Sequence, residues 1–344
     1  MDKQNLIGLL PANFSESIEG PAFRIQQIFD WIYRKKVDSF SSMTNLPLVL
    51  REKLASQFKI GSTKVLKIQQ SATGARKYLI GLSDGQAVEA VLIPYKNWVT
   101  LCLSTQVGCP GGCVFCFSGR NGLKRNLSFQ EIVEEIWLIE KIEDKRVKNI
   151  VFMGMGEPLL NYPNLARALE VINSPQGLGI GSRRITVSTV GIPDKIVQLA
   201  RDWPEVNLAI SLHAPDDKLR NQLVPLNRTF PLKDVLAAWE EYFSLTHKRV
   251  TVEYGLWRGV NDKLEHVYQL CDLVANRSVH INLIPGNGAS DDRWRPSSPA
   301  RVKLFAQILR ERGINTTIRR SLGHDIKAAC GELSRTYIGK EEVG

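Results

Sequence analysis

The chain has 344 residues, 43% of them hydrophobic and 23% charged, with a formal net charge of +10 and a pI near 9.3. It is long enough to bury a full core, with room for one large domain and a small one, and its composition is that of an ordinary globular protein. No apolar run reaches bilayer-spanning length and Met1–Pro11 lacks a secretory layout, so a cytoplasmic location without membrane contact is expected.

Residues 1 to about 60 read as helical. Phe23, Ile25, Ile28, Phe29 and Ile32 form a one-faced apolar stripe, and Leu46-Pro47 opens a second segment ending near Phe58. From Lys64 to Ile93 the pattern shifts to short strands, where Tyr78–Leu82 and Ala87–Val91 flank the turn Ser83-Asp84-Gly85. A soft boundary in this stretch gives a helical domain at 1–60, a β-hairpin linker at 61–97 and an α/β domain at 98–344.

From residue 98 onward strand-like and helix-like stretches alternate. Strands are expected at Val99–Ser104, Asn149–Met153, Ile185–Val190, Val206–His213, Arg249–Leu256 and His280–Ile284, with a seventh at Asn315–Arg319. The clearest helix starts at Ser128, which forms a capping box with Glu131; others fit Lys195–Ala200, Leu232–Ser244, Leu264–Val274 and Arg301–Arg312. Such alternation requires a parallel sheet with crossover helices, either an α/β barrel or a doubly wound sheet. Periodicity does not choose between them.

Between the first strand and the first helix lies Cys109-Pro-Gly-Gly-Cys113-Val-Phe-Cys116, three of the six cysteines in one glycine-rich loop. That is not a secreted disulfide framework. Three thiolates at this spacing can converge on one metal centre; a four-iron cluster so held keeps one iron open, whereas structural zinc normally takes a fourth ligand. A zinc knuckle completed from a distance, or unpaired core cysteines, are the bland alternatives. Other polar or glycine residues also fall at strand ends: Gly154-Met-Gly156-Glu157, Ser188, Ser211-Leu-His213 and Pro285-Gly-Asn287. In parallel α/β folds that edge binds ligands. A tight turn explains Gly154-x-Gly156 alone, but five placements on one rim favour a site.

The net charge favours a polyanionic partner, most simply nucleic acid. The clusters Arg34-Lys35-Lys36, Arg120 with Lys124-Arg125, Arg183-Arg184 and Arg319-Arg320 each read, singly, as a solvated face. Trp31, Tyr33, Phe115 and Phe117 nearby would suit base stacking, although such rings are more often core.

The cysteine spacing resembles the radical S-adenosylmethionine (SAM) superfamily, and further motifs narrow the likeness. Gln106-Val-Gly-Cys109, Phe152-Met-Gly-Met-Gly-Glu157-Pro-Leu-Leu-Asn161, Ile210-Ser-Leu-His-Ala-Pro215, Val250-Thr-Val-Glu-Tyr254, Ile281-Asn-Leu-Ile-Pro285 and Asp325-Ile-Lys-Ala-Ala-Cys330-Gly resemble the RlmN/Cfr family of radical SAM RNA methyltransferases. The likeness spans nearly the whole chain, and Glu157-Pro-Leu-Leu-Asn161 favours the RlmN branch, which methylates carbon 2 of an adenine in 23S rRNA and of a tRNA adenine. The Cfr branch acts on carbon 8. The resemblance implies a partial (β/α)6 barrel behind a small helical RNA-binding domain, a [4Fe-4S] cluster, two SAM molecules per turnover, an electron donor such as flavodoxin or ferredoxin, and a monomer.

Residue by residue, the resemblance makes Cys109, Cys113 and Cys116 the cluster ligands and Gly156, Glu157, Ser188, Ser211, Leu212, His213 and Asn287 the SAM contacts. Cys330 is the methyl-carrying thiol, Cys102 its disulfide partner during turnover, and Glu89 the base that removes the final proton. The chemistry suits these types. Carbon 2 of adenine is electron-poor and cannot attack the SAM methyl group, whereas a thiolate can; the methylated sulfur then bonds the base through radical chemistry, and release of the adduct needs a base and a second thiol. Val88 and Val91 suggest an apolar setting for Glu89. Without the resemblance, Cys102 and Cys330 would read as packing residues, and His213 as a hydrogen-bonded core imidazole nearly as readily as a SAM contact. Cys271 reads as core.

Some positions depart from the family pattern. Phe117-Ser-Gly replaces Ala-Thr-Gly, Gly286 stands where a tryptophan is usual, the loop after Val190 is shorter, and Leu322-Gly-His-Asp325 replaces Arg-Gly-Asp-Asp. Carbon-8 methylation, a non-ribosomal substrate, and a non-catalytic basic RNA-binding protein with a structural metal stay open alternatives.

Overall fold

The computed structural model describes residues 3–14, 21–286, 294–319, 322–328 and 331–333. Ten strands form one sheet: β1 (Lys64–Gln70), β2 (Arg76–Gly81), β3 (Ala87–Pro94), β4 (Val99–Cys102), β5 (Asn149–Phe152), β6 (Ile185–Thr189), β7 (Asn207–Ser211), β8 (Val250–Leu256), β9 (Val279–Pro285) and β10 (Asn315–Ile318). Each pairs with its neighbour in sequence. β1 to β4 run as an antiparallel meander and β4 to β10 are all parallel. Parallel neighbours need long crossovers, supplied by α3 (Phe129–Glu143), α4 (Tyr162–Asn173), α5 (Pro193–Asp202), α6 (Leu232–Thr246), α7 (Leu264–Val274) and α8 (Pro299–Glu311).

The two faces of the parallel strands differ in chemistry. One carries Ile150, Phe152, Ile185, Val187, Leu208, Ile210, Val250, Val252, Ile281 and Leu283, all buried. The register places Ser188, Ser211, Glu253, Asn282 and Thr317 on the other. That polar face is the inside of a curl. Arg319, just past β10, reaches Met153, just past β5, at 3.6 Å. The two strands are five places apart in the sheet order, and a flat sheet would separate them by about 24 Å. The sheet is therefore an open, partial barrel with six β/α strands and a seventh at its edge, which settles the choice that periodicity left open.

Two features go beyond the expectations from sequence. Helix α4 is not among the helices expected there, although Leu165, Ala168, Leu169 and Ile172 are all buried at helical spacing. The hairpin at 76–94 is also part of the main sheet, since β3 pairs with β4 from Val91↔Cys102 to Pro94↔Val99.

The amino-terminal helices, α1 (Ala22–Tyr33) and α2 (Leu48–Gln57), pack around Phe14, Phe29 and Phe58, with ring centroids 5.6 and 5.1 Å apart. Phe23 leaves the expected stripe and is exposed. Helix α3, capped by Ser128 and Glu131 as its sequence suggests, fastens this unit to the barrel. Glu134 accepts the Ser62 and Thr63 N–H groups at 2.9 and 2.7 Å, and Glu140 pairs with Lys36 at 2.6 Å. Lys36 is thus a buried fastening and no part of a basic surface. Arg125 likewise pairs with Glu131 and Asp84, and Arg183 with Glu205. Among the described residues no helix is long and apolar enough to cross a membrane.

Candidate active site

The cysteine loop is the connection of a short hairpin, Gln106–Gly108 against Leu123–Asn126. Gly108, at φ +81°, must be glycine, because a Cβ there would lie 2.1 Å from the Gly122 carbonyl oxygen. Cys109, Cys113 and Cys116 line one cleft with about 960 Å³ of empty space, its solvent-facing mouth included. A Cβ built on Gly111 would sit 3.4 Å from Cys109 Sγ and 3.9 Å from Cys113 Sγ, so both sulfurs face the inside of the loop. Burial pushes Cys109 up to about 12 and Cys113 well above the ordinary thiol range, so metal binding must release protons.

Among the described residues no three Cys, His, Asp or Glu side chains are grouped as a single-ion site. The three thiols share a cavity wall instead of a point. That donor set fits a polynuclear iron–sulfur cluster, which bonds each thiolate to a different iron.

The rest of the cleft is built from successive strand ends. Met153, Gly154, Gly156 and Glu157 follow β5, Ser188 and Thr189 end β6, Ser211 and His213 close β7, Glu253, Gly255 and Trp257 come from β8, and Arg319 follows β10. Gly156 has φ +107°, and a Cβ there would press to 2.8 Å from the Gln106 nitrogen. Glu157 is fully enclosed and accepts the Leu159 and Val190 N–H groups at 3.0 and 2.9 Å; burial still raises it to about 7. His213 accepts the Gly255 N–H on Nδ1 at 2.9 Å, and burial holds it neutral with a pKa of about 3. It is thus both a hydrogen-bonded imidazole and a wall of the cleft. Ser188 and Ser211 oxygens lie 3.4 Å apart. The Leu212 side chain turns into the core and does not line the cleft. Asn287 lies outside the described residues.

Glu89 and Cys102 sit two strands and one strand from β5, on the face that carries Met153. Val91 is opposite Cys102 and Cys102 opposite Val151, so alternation puts Glu89, Val91, Cys102, Val151 and Met153 on one side. Glu89 is buried, but its setting is not the apolar one expected. Lys77, across the hairpin, meets it at 3.1 Å with both side chains nearly enclosed.

Lys77 also donates to the Lys327 carbonyl at 3.1 Å. Asp325 accepts from Ser71 Oγ at 2.6 Å and from the Ala72 N–H at 2.9 Å. Beyond the gap, the Gly331 carbonyl accepts the Phe117 N–H at 2.9 Å and the Leu333 carbonyl accepts Ser118 Oγ at 2.8 Å. Cys330 lies outside the described residues. Its flanks are tied to the Glu89 side at Lys327 and to the cysteine loop at Gly331.

Sequence reasoning missed Lys77, Trp257 and Arg220. Trp257 stacks on Phe115 at 4.4 Å, and a Cβ on Gly286 would lie 2.7 Å from its ring. The Trp257 indole thus occupies the space above Gly286, the position at which the resemblance expects a tryptophan. Phe117 carries Arg120 over its ring at 4.0 Å and is not part of the cleft wall. Cys271 is buried in α7, as its surroundings suggest.

An open parallel barrel with a three-thiol loop at the carboxyl edge of its strands defines a radical SAM enzyme, and residues 103–271 match the model of the Radical SAM superfamily. Residues 4–60 match the Ribosomal RNA large subunit methyltransferase N-terminal domain. The chain is 46% identical over 321 residues, 92% of either length, to the probable dual-specificity RNA methyltransferase RlmN of Dictyoglomus thermophilum. It is 46% identical over 324 residues to that of Geobacillus kaustophilus, covering 93% of this chain and 88% of the relative. A crystal structure of a radical SAM methyltransferase from Sphaerobacter thermophilus superposes with a TM-score of 0.91 at 40% identity, over 96% of this chain and 99% of that one. The chain belongs to the RlmN family of radical SAM RNA methyltransferases. Membership implies a [4Fe-4S] cluster and SAM, and the reading as a non-catalytic protein falls with it.

Proposed function

We propose that this protein methylates carbon 2 of an adenine in 23S rRNA, and an adenine in tRNA, in the cytoplasm, working as a monomer with a flavodoxin or ferredoxin as reductant. Cys109, Cys113 and Cys116 hold the cluster; Gly156, Glu157, Ser188, Ser211 and His213, with Leu212 through its backbone and Asn287, hold SAM. When bound, these groups supply the methyl carbon and the one-electron chemistry that activates it.

The chain's own residues do the rest. Cys330 accepts the methyl group on sulfur and carries it to the base. Glu89, held beside Lys77, takes the ring proton, and Cys102 attacks the Cys330 sulfur, forming an S–S bond as the S–C bond to the RNA breaks and the released carbon takes up a proton. The division of the chain at about residues 60 and 97 gives the amino-terminal helices the task of docking RNA. The observation that carries this reading is the shared sheet face: Glu89 and Cys102 look onto the same side as the cleft, and the two flanks of Cys330 attach on either side of it.

The test is a map of methylated nucleosides after anaerobic incubation of the reconstituted protein with 23S rRNA and with tRNA. Expected is 2-methyladenosine in both RNAs. A carbon-8 product, or methylation of neither RNA by protein that still consumes SAM, overturns the assignment.

A further inference from the structure

Arg220 is among the largest side chains wholly inside the protein. It sits in the short helix Asp217–Leu223 after β7. Its Nε donates to the Leu212 carbonyl at 3.0 Å, Nη2 to the Ser211 carbonyl at 3.1 Å and to the Val190 carbonyl, and Nη1 to Asn227 Oδ1. All four acceptors are neutral. Asp217, the acid whose field reaches it, uses Oδ1 for Asn227 Nδ2 and the Leu232 N–H and makes no ion pair with it. Among the described residues Arg220 makes no ion pair, and a buried cation held only by neutral acceptors is unfavourable, so an anion is expected beside it when the site is filled.

The neighbouring loop is the one with the three thiols. The Val114 N–H donates to the Leu223 carbonyl at 3.1 Å, and Cys113, Val114 and Phe115 pack on Ala214, Leu223 and Val224. A Cβ on Gly112 would touch Pro225 at 3.8 Å. The charges of Arg220 and Cys113 act on one another across this contact, and an arginine side chain keeps its charge at neutral pH.

We propose that Arg220 is the built-in counter-charge of the iron–sulfur centre, a positioning residue that stabilises the anionic three-thiolate cluster and eases its one-electron reduction. Reduction adds negative charge next to a fixed cation, and net charge near a cluster sets its potential. The four hydrogen bonds meanwhile lock the ends of β6 and β7 to the helix that supports the loop. The inference rests on the cluster that family membership implies, and is independent of which RNA atom receives the methyl group.

The experiment compares full-length wild type, Arg220→Gln and Arg220→Lys, each reconstituted anaerobically with iron and sulfide. The cluster potential is read by a spin-resonance-monitored titration with dithionite and mediators, without RNA. Expected for Arg220→Gln is a negative shift that lowers the reduced-to-oxidised ratio at fixed potential about tenfold, about 59 mV for one electron; Arg220→Lys retains most of the wild-type value. An unshifted potential in cluster-replete Arg220→Gln overturns the proposal, as do equal shifts in both variants.

Should Arg220→Gln fail to retain its cluster through the titration, melting of apo and loaded forms decides. Cluster loading should raise the melting temperature less in Arg220→Gln than in wild type, each gain being measured against that protein's own apo form. An equal gain in the two proteins overturns it, because the cation would then serve the fold alone. All these readouts omit RNA, so a wrong assignment of the methylated atom would leave them unchanged.

Discussion

On the rim formed by β5 to β8, site residues are held by backbone and by full burial: Glu157 by two N–H groups, His213 by Gly255, and Ser211 and Leu212 through carbonyls clamped by Arg220. Across the cleft, the described residues on either side of Cys330 are held by polar tethers at Asp325, Lys327, Gly331 and Leu333, with Ala328 and Leu333 buried beside them, and His324, which is mostly exposed, meets Glu332 at 2.8 Å. The contrast reflects the task of each side. A cofactor site gains from donors fixed before anything binds. Under the proposed function the Cys330 thiol takes a carbon from one ligand and hands it to another, a task that donors fixed in advance do not serve.

The sharpest way to break this contrast is to remove the carrier and leave the rim alone. Cys330→Ala should abolish methyl incorporation into both protein and RNA while the iron content and visible absorption stay at wild-type level. Normal methylated RNA from that variant would end the two-sided reading. Cys102→Ala comes next: transfer to the base should proceed and release should fail, leaving RNA covalently attached to protein on a denaturing gel. Free methylated RNA at wild-type yield would clear Cys102 of its role.

The rim was largely legible in the sequence because its information is local. Strands such as Ile185–Thr189 announce themselves by apolar residues, and residues just past the carboxyl end of a parallel strand lie on the ligand-binding edge wherever the strand sits in the sheet. The carrier side depends on pairings between distant segments, and there the reading thins. Lys77 was within reach, since a turn centred on Asp84 pairs Leu79 with Glu89 and leaves Lys77 one diagonal away. No such arithmetic leads to Arg220, whose partners come from two strand ends and a separate turn, nor to Trp257 above Gly286. Basic clusters misled for the same reason: Lys36 and Arg125 are charged in sequence but meet buried acids on α3.

Glu157 sharpens the rim side through pH. Its folded pKa is raised from 4.5 to about 7 by burial. A raised carboxylate pKa costs the empty protein stability as pH climbs from 4.5 to 7, on the order of 3 kcal/mol in all, with no further change above. A cationic ligand needs the ionised form, so SAM affinity, measured by equilibrium dialysis on cluster-loaded protein, should rise about tenfold between pH 5.5 and 7. His213 stays neutral across that window and adds nothing to the slope. Glu157→Gln should flatten the profile; an unchanged slope would detach Glu157 from SAM.

Lys77→Met tests the hinge between the two sides, since its ammonium serves both Glu89 and the Lys327 carbonyl. Removing it takes a positive charge from beside a buried carboxylate, a change that favours that group's protonated form. Turnover should fall several-fold, with adduct accumulating more weakly than in Cys102→Ala and the acid limb of the rate profile moving to higher pH. Lys77→Arg should restore part of the rate, because it keeps the charge. An unmoved acid limb in Lys77→Met would assign Lys77 to the tail alone.

The smallest effect is expected from Asp325→Ala. Asp325 is at the surface, its carboxylate held below the usual range by the Ser71 hydroxyl and the Ala72 N–H. It ties the tail to the turn between β1 and β2, at the edge of the sheet order opposite β10. Because nothing apolar is uncovered by its loss, global melting should move by no more than about 1 °C. Amide exchange at residues 323–328 should nevertheless quicken several-fold, while exchange in β5 to β8 stays as it was. A uniform change across both regions would mean that the tail and the rim open as one unit, and the division drawn between them would have to be abandoned.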